Sequence, residues 1–274
     1  MNFFPERNVI KEQITSSFSR CFSTYDANAD LQFITAKRLL WYIDQKINTQ
    51  TTEGSILEIG CGTGFISEGL LERYHEREIQ FTDISPTMLE FCKTKLEKQR
   101  EFDPNNHHFT LLDGEAVQET DCYSLIISNF AFQWFQSLEK TIHKLFDSLK
   151  PGGWLIFSIP LQGSFPQWKK ACDRHQIPFR ANTLPELNKI AEFLSPLSSK
   201  QDFWEETETL SYPSALGFFK QLKLIGAAKT TSGTPLPYSQ MKILMKEIET
   251  QEEERVKISY EVGYFFFQKQ QELH

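Results

Sequence analysis

Between residues 55 and 160, short apolar segments alternate with stretches of helical periodicity. The apolar segments are SILEIG, IQFTDI, HFTLLD, YSLIIS and WLIFSI. The clearest helical stretch precedes the last of them: apolar residues follow the i, i+4, i+7, i+8, i+11 spacing from Leu138 to Leu149, and KPGG at 150–153 is predicted to end that helix. Continuous apolar strands are typical of parallel sheets buried on both faces. The alternation therefore predicts βαβ units and a parallel sheet covered by helices on both faces.

The residues before this alternation are predicted to be helical. Apolar residues at every fourth position from Ile10 to Phe22 predict one amphipathic helix. A second is predicted from about Ala29 to Ile43, and the polar segment 48–54 is interpreted as a linker.

After Pro160 the alternation stops. Residues 161–200 are rich in turn formers and give no clear prediction. Beyond them we predict a strand at 202–211, helices at 213–227 and 238–250, and a final strand over 258–266.

Charge and cysteine content narrow the class of protein. The 29 Lys and Arg residues against 36 Asp and Glu residues give a net charge of −7, which argues against a surface built for nucleic acid or anionic membrane. The five cysteines are 30 to 50 residues apart, so we expect neither a disulfide framework nor a CxxC site.

The His107-His108 pair has no acid or cysteine at ligand spacing, so no metal site is expected. With no signal-like start and no run of 18 apolar residues, a cytoplasmic protein without a membrane partner is expected.

The first apolar segment runs into a glycine loop, LEIGCGTGF at 57–65. Strand, glycine loop and helix form a nucleotide-binding arrangement, because glycine permits a tight turn and a close approach of the ligand to the backbone. Gly60, Gly62 and Gly64 have the spacing G-x-G-x-G, whereas a dinucleotide fingerprint is G-x-G-x-x-G. The spacing therefore argues against NAD.

The loop resembles motif I of class I S-adenosylmethionine-dependent methyltransferases, and the other segments of that family's pattern follow in order. The resemblance implies S-adenosylmethionine as the cofactor, with Asp83 accepting hydrogen bonds from its ribose hydroxyls and Asp113 lying near the adenine amino group. SNFAFQW at 128–134 matches the segment that lines the methyl-donor side. In full, the resemblance implies that the cofactor is bound by Tyr25, Glu58, Gly60, Cys61, Gly62, Gly64, Asp83, Ile84, Met88, Asp113, Gly114, Glu115, Asn129 and Phe130.

This resemblance also implies a fold and a division of the chain. The expected fold is α/β and Rossmann-like, with a mostly parallel seven-stranded sheet, helices on both faces, and a lid formed by N-terminal helices and a helical insertion after the fifth strand. The expected regions are an N-terminal helical cover at 1–50, a cofactor-binding core at 51–160, an insertion or lid with one core strand at 161–250, and a C-terminal strand at 251–274.

Segments outside the core resemble a narrower family, the malonyl-acyl-carrier-protein O-methyltransferases of biotin synthesis (BioC). They are FSRCFSTYDANADLQ, ISNFAFQWFQSL, FSIPLQGSFPQ, RANTLP and LKLIGA. The resemblance implies methylation of the free carboxylate of malonyl-acyl carrier protein, which disguises its charge for fatty-acid synthesis. It also implies acyl carrier protein as the partner, and we expect the enzyme to be a monomer.

A malonyl carboxylate is already ionised at neutral pH, so the reaction needs no general base. It needs alignment with the methyl donor and a dry pocket, and therefore a mobile cover. Arg20, Arg174, Arg180 and Lys223 are candidates to hold the carboxylate, and we favour Lys223 because it lies in LKLIGA. The predicted catalytic residues are Tyr25, which is similar to the family tyrosine that closes over the cofactor, Lys223 and Asn129. The predicted substrate-binding residues are Gln133, Trp134, Arg180, Lys220 and Lys223.

Residues 213–246 contain five lysines and no acid in an otherwise acidic chain: Lys220, Lys223, Lys229, Lys242 and Lys246. Such a surface would steer an acidic carrier protein toward the enzyme, although a solvated helix face is the simpler explanation.

Two other functions remain open at the level of sequence. One is a methyltransferase for a small molecule or a free carboxylic acid, which would not need the lysine surface. The other is a cofactor-binding protein that regulates or scaffolds without transferring methyl groups, because the fold hosts many functions. A nucleic-acid methyltransferase is not expected, because SNFA stands where such enzymes carry an Asn/Asp-Pro-Pro-aromatic tetrad.

Overall fold

The computed structural model describes residues 5–46, 53–227, 236–250 and 254–271. The strands are β1 (Ser55–Ile59), β2 (Ile79–Asp83), β3 (His107–Leu111), β4 (Tyr123–Asn129), β5 (Leu149–Pro160), β6 (Ser198–Tyr212) and β7 (Val256–Lys269). The helices are α1 (Pro5–Tyr25), α2 (Asp30–Lys46), α3 (Phe65–Tyr74), α4 (Pro86–Leu96), α5 (Leu138–Ser148), α6 (Pro166–Arg174), α7 (Leu187–Leu194), α8 (Ala215–Leu224) and α9 (Tyr238–Glu249). No helix in these residues has both the length and the apolar character to cross a membrane.

The seven strands form one open sheet in the order β3-β2-β1-β4-β5-β7-β6. The pairs β3/β2, β2/β1, β1/β4 and β4/β5 are parallel. Strand β7 runs antiparallel to β5. The Nε2 of Gln268 donates to the carbonyl of Gly152, and the N–H of Leu161 donates to the carbonyl of Glu261, so the end of β7 lies beside the start of β5. The mostly parallel seven-stranded sheet confirms the predicted fold class.

The central strands are apolar because both of their faces are covered. The buried pattern of β4 runs almost without a break through Leu125, Ile126 and Ile127, all with no exposed surface. Phe157 of β5 stacks on Phe265 of β7, with ring centroids 4.7 Å apart. Continuous burial of this kind is what the apolar segments predicted.

The structure corrects one detail of the sequence prediction and completes two others. Helix α5 ends at Ser148, and KPGG lies inside β5, because Leu149 already pairs with Tyr123 and the register shifts before Trp154 pairs with Leu125. The unassigned region 161–200 contains α6 and α7, which are too short for their periodicity to stand out in the sequence. The final strand is confirmed as β7, but it lies between β5 and β6 in the sheet.

By internal contacts the chain divides into two compact units. The core unit comprises Ala29–Ile159, Glu186–Glu205 and Gly263–His274; the accessory unit comprises Met1–Asn28, Pro160–Pro185 and Glu206–Val262. The expected regions 1–50, 51–160, 161–250 and 251–274 were assigned by role, and that assignment stays a prediction.

Candidate functional site

The glycine loop connects β1 to α3 in a left-handed backbone conformation. Gly60, Gly62 and Gly64 have φ of 73°, 54° and 96°. The N–H of Gly64 donates to the carbonyl of Cys61 at 2.9 Å, and the N–H of Cys61 donates to Thr82 of β2 at 2.8 Å. Side chains with a Cβ rarely adopt such φ values, so this turn requires glycine.

Gly60 and Gly62 differ in what surrounds them. A Cβ on Gly60 would lie 2.6 Å from the Cβ of Ala131, which is a steric clash. A Cβ on Gly62 would have no described atom within 4 Å. Gly60 is therefore required by packing, whereas Gly62 leaves its side of the loop open to a ligand.

This difference gives a matched pair of variants. Gly60→Ala should lower the free energy of unfolding by roughly 2–4 kcal/mol through backbone strain and the clash with Ala131. Gly62→Ala should cost only the strain, about 1 kcal/mol, yet weaken cofactor binding more than its stability loss explains. Denaturant unfolding and calorimetric titration with S-adenosylmethionine measure the two effects. Equal losses of stability in the two variants would contradict the conclusion that packing requires Gly60 but not Gly62.

Asp83 ends β2 and fastens the glycine loop to it. Its Oδ2 accepts the N–H of Gly62 at 2.9 Å, and its Oδ1 accepts the N–H of Ser85 at 2.7 Å. Burial raises the pKa of the carboxyl to about 6, against the lowering effect of the hydrogen bonds from the backbone. At pH 7 it is therefore mostly ionised, and a carboxylate with about four lone-pair sites keeps acceptor capacity for a ligand hydroxyl beside its bonds to the backbone.

Helix α4 begins beside Asp83. Ser85 caps it by accepting the N–H of Met88 at 3.3 Å, and Pro86 occupies the first turn, where its missing N–H costs nothing. Ile84 is half-buried between the two elements, whereas Met88 is 1% exposed and packs in the core.

Glu58 of β1 is buried beneath the loop. The Ser67 hydroxyl donates to its Oε2 at 2.6 Å, and the Cys92 thiol donates to Ser67 at 3.4 Å. Burial raises the pKa of Glu58 to about 8, and the nearby charge of Asp83 adds to the rise. Burial likewise raises the pKa of the Cys61 thiol well above its usual value. Glu58 is therefore mostly protonated at neutral pH, and it supports the loop from within the core.

The segment after β3 is held by three of the predicted residues. Asp113 accepts the N–H of Glu115 at 3.0 Å and starts a short 3₁₀ turn. A Cβ on Gly114 would lie 2.7 Å from the side chain of Ile59, so this turn packs closely against β1. The carboxylate of Glu115 accepts the N–H groups of 136 and 137 at 3.1 and 3.0 Å, which stabilises the start of α5. Glu115 thus has a structural contact that its sequence match did not indicate.

Asn129 joins three elements at the end of β4. Its Oδ1 accepts hydrogen bonds from Thr35 of α2 at 2.8 Å and from Ser158 of β5 at 2.6 Å, and its Nδ2 donates to the carbonyl of Gln32 at 2.9 Å. Three of the four hydrogen-bonding positions of the amide are therefore used within the core unit. Its predicted catalytic role stays a prediction, and these contacts give it a positioning function.

The segment after Asn129 contains a strained backbone at Phe130 and an unpaired acceptor at Gln133. Phe130 has φ of 55°, an uncommon value for a bulky residue. Its carbonyl accepts the Gln133 Nε2 at 2.7 Å, which leaves the buried Oε1 of Gln133 without a partner in the described residues. Trp134 is half-buried in the same short 3₁₀ turn. Strained backbone and unpaired buried acceptors are typical of ligand sites.

Thr63 is a candidate site residue that the sequence prediction did not include. It lies between Gly62 and Gly64, it is 1% exposed, and its hydroxyl has no hydrogen-bond partner among the described residues. Its position inside the glycine motif was the available signal.

The remaining predicted residues belong to the accessory unit. Tyr25 is half-buried at the end of α1, and Lys220 and Lys223 are exposed on α8. Arg180 is half-buried, and its Nε is buried without a hydrogen-bond partner in the described residues. Their relation to the glycine loop stays a prediction.

The donors and acceptors at the glycine loop fit S-adenosylmethionine better than a nucleoside phosphate. The Asp83 carboxylate can accept from ribose hydroxyls, and its negative charge favours a cationic sulfonium over a pyrophosphate. The unpaired Thr63 hydroxyl and Gln133 Oε1 provide further polar contacts. The open side of Gly62 lets the ligand approach the backbone.

Comparison with known proteins matches this chain to a domain family and to curated relatives. Residues 57–155 match the family model of a methyltransferase domain. The malonyl-[acyl-carrier protein] O-methyltransferase of Priestia megaterium is 33% identical over 272 residues, which cover 91% of this chain and 94% of that protein. The biotin biosynthesis bifunctional protein BioCD of Bordetella avium is 29% identical over 252 residues, covering 91% of this chain and 50% of that one.

A solved structure agrees on the fold alone. The YcgJ protein of Bacillus subtilis superposes with a TM-score of 0.59 at 12% identity, covering 86% of this chain and 99% of that one. Because one fold hosts many reactions, the family follows from the sequence identity rather than from this superposition. On that identity, with 94% of the relative's length covered, the chain belongs to the malonyl-[acyl-carrier protein] O-methyltransferase family.

Proposed function

We propose that this protein transfers a methyl group from S-adenosylmethionine to the free carboxylate of malonyl-acyl carrier protein. The product is the malonyl methyl ester that starts pimeloyl synthesis for biotin. The observation that carries the proposal is the 33% identity over nearly the full length of a relative of that name. The glycine loop, Asp83 and the unpaired hydroxyl of Thr63 support it independently.

S-adenosylmethionine supplies an electrophilic methyl group on a sulfonium centre. The residues of this chain have two tasks: to hold the cofactor and to bring an already ionised carboxylate to it. Because the carboxylate carries no proton at neutral pH, no side chain has to act as a base. Holding the two partners in alignment and away from water provides the rate enhancement.

The core unit holds the cofactor in this proposal. Asp83 binds the ribose, the backbone around Gly62 faces the amino-acid end, and Asp113 lies near the adenine. Asn129 holds the end of β4 against α2 and β5, because its Oδ1 accepts hydrogen bonds from Thr35 and Ser158. Gln133 and Trp134 line the acyl side.

Arg180 is the best-supported residue for holding the malonyl carboxylate. Its Nε is buried and has no hydrogen bond within the described residues. A buried N–H of a charged group costs free energy unless an acceptor meets it, so the position favours an anionic ligand. Arginine also offers a planar pair of donors that matches a carboxylate.

The other three candidates have weaker support. Arg174 forms an ion pair with Glu247, and Arg20 donates to Ser16 at 2.6 Å. Lys223, which the sequence favoured first, is exposed, so water already solvates its ammonium group. A single ion pair formed by an exposed cation contributes little binding free energy, so Lys223 is a weak candidate to hold one carboxylate.

The finer details of partner and location belong to the same proposal: the enzyme acts as a monomer in the cytoplasm, with no nucleic acid or membrane partner. The net charge of −7 supports the absence of a nucleic-acid partner. All five cysteines are free thiols, as expected in a reducing compartment.

The proposal is tested by mass spectrometry of malonyl-acyl carrier protein after incubation with the protein and S-adenosylmethionine. A gain of one methylene mass on the carrier-bound malonyl group is the expected result. Malonyl-coenzyme A and free malonate serve as parallel substrates. Methylation of free malonate but not of the carrier would move the function to small carboxylic acids, and cofactor binding without turnover on any of the three would indicate a regulatory protein.

A further inference from the structure

Helix α8 exposes a face that combines lysines with large apolar side chains. Leu216, Lys220, Lys223 and Leu224 follow the i, i+4, i+7, i+8 spacing, which places them on one side of a helix. Leu216 and Leu224 are 48% and 38% exposed. The opposite side is buried through Ala215 and Phe218.

Helix α9 repeats this arrangement. Tyr238, Lys242 and Lys246 recur every four residues, and Ile243 lies beside them. Tyr238 is 79% exposed and Ile243 is 44% exposed. Leu244 and Ile248 are buried, and α8 and α9 contact each other. These eight residues, four on each helix, are called the basic–apolar face below.

The lysines of this face have no side-chain partners in the part of the chain that the structure describes. Within the described residues, no hydrogen bond or ion pair involves the ammonium groups of Lys220, Lys223, Lys242 and Lys246. The stretch 213–246 contains no Asp or Glu to offset them. Their positive charge is therefore directed to solvent.

The two nearest acids in the sequence are already engaged elsewhere. Glu247 lies between Arg174, which forms an ion pair with it, and His175, whose Nε2 is 3.0 Å from its Oε2. These two bonds lower the pKa of Glu247, so it stays ionised and bound to α6. Glu249 accepts the N–H of Ala215 at 3.1 Å and so stabilises the start of α8. Neither acid forms an ion pair with a lysine of the face within the described residues.

We propose that the basic–apolar face is the surface on which the acyl carrier protein docks. This inference rests on the proposed function, which names a strongly acidic protein as the bearer of the substrate. Unpaired lysines raise the association rate with an acidic partner, and exposed leucine, isoleucine and tyrosine side chains supply apolar area at the contact. A second copy of the chain fits this face poorly, because four lysines would oppose four lysines.

The test compares two lysine pairs with the same helical spacing. Lys242→Glu/Lys246→Glu reverses two charges on the face, and Lys140→Glu/Lys144→Glu reverses two exposed charges on α5 in the core unit. Binding of fluorescently labelled holo-acyl carrier protein is measured by anisotropy at low and physiological salt. The α9 variant should bind about tenfold to a hundredfold more weakly and lose most of the salt dependence, whereas the α5 variant should bind as wild type does. Thermal unfolding of both variants verifies that they are folded.

Turnover provides the second measurement. The α9 variant should show a raised KM for malonyl-acyl carrier protein and an unchanged kcat, with unchanged methylation of malonyl-pantetheine. Equal carrier binding by wild type and the α9 variant would overturn the inference, as would absence of carrier binding by the wild type. If the wild type binds the carrier through this face but methylates nothing, the proposed function fails and the docking inference stands.

Discussion

Asp83→Ala should weaken the binding of S-adenosylmethionine by about a hundredfold, which corresponds to roughly 3 kcal/mol. The substitution removes the proposed acceptor for the ribose hydroxyls. It also removes the acceptor for the N–H groups of Gly62 and Ser85, which hold the glycine loop and the start of α4 in place. Loss of these two bonds should also lower the free energy of unfolding by a few kcal/mol, because the donors are left unpaired in a buried place.

Calorimetric titration with S-adenosylmethionine measures the affinity. Asp147→Ala removes an exposed carboxylate from α5 and should leave cofactor binding unchanged. If Asp83→Ala is too unstable to titrate, Asp83→Asn keeps the shape of the side chain and should still reduce the affinity. Binding by either Asp83 variant within threefold of wild type would contradict the assignment of this residue to the ribose.

Arg180→Gln should reduce kcat/KM for malonyl-acyl carrier protein by roughly a hundredfold or more, because truncation of one member of a buried charge pair costs on the order of 2–5 kcal/mol. Cofactor affinity should not change. The variant without substrate should be as stable as wild type or more so, because the substitution removes a guanidinium whose buried Nε has no partner in the described residues. A residue with only a structural role would show the opposite change in stability.

Steady-state kinetics with the carrier-bound substrate, together with thermal unfolding, test this prediction. Lys223→Gln is the comparison, because the sequence alone favoured Lys223, and its exposed side chain should make the effect on kcat small. A large loss of kcat/KM in Lys223→Gln with little effect in Arg180→Gln would reverse the assignment.

The core of the fold could be predicted from sequence because its signals are local. Strands β1 to β5 overlap the five apolar segments, and burial on both faces is the reason that the segments of β1, β2, β4 and β5 are continuous. The edge strand β3 is only partly buried. The glycine loop was also predictable, because three of its five residues have left-handed backbone conformations, and each of the three is a glycine. The place of Asp83 at the end of the strand after that loop was also predictable, and its role toward the ribose stays a prediction.

The elements after Pro160 were less predictable. Helices α6 and α7 span nine and eight residues, too few turns for a clear apolar period. The place of β7 between β5 and β6 depends on which strand edge remains to be paired, and strand order is not encoded in any one segment.

By itself, the sequence determined the βαβ core, the glycine loop and the family, because each depends on residues close together in the chain or on identity along it. Tertiary structure decided which polar groups are already satisfied. Thr35 donates to Asn129 across 94 positions and Arg174 donates to Glu247 across 73, whereas the Nε of Arg180 is buried without a partner in the described residues. The physical reason is that burial and hydrogen-bond partners are set by segments distant in sequence, so the difference between a solvated cation and one that needs an anion becomes visible only in the folded chain.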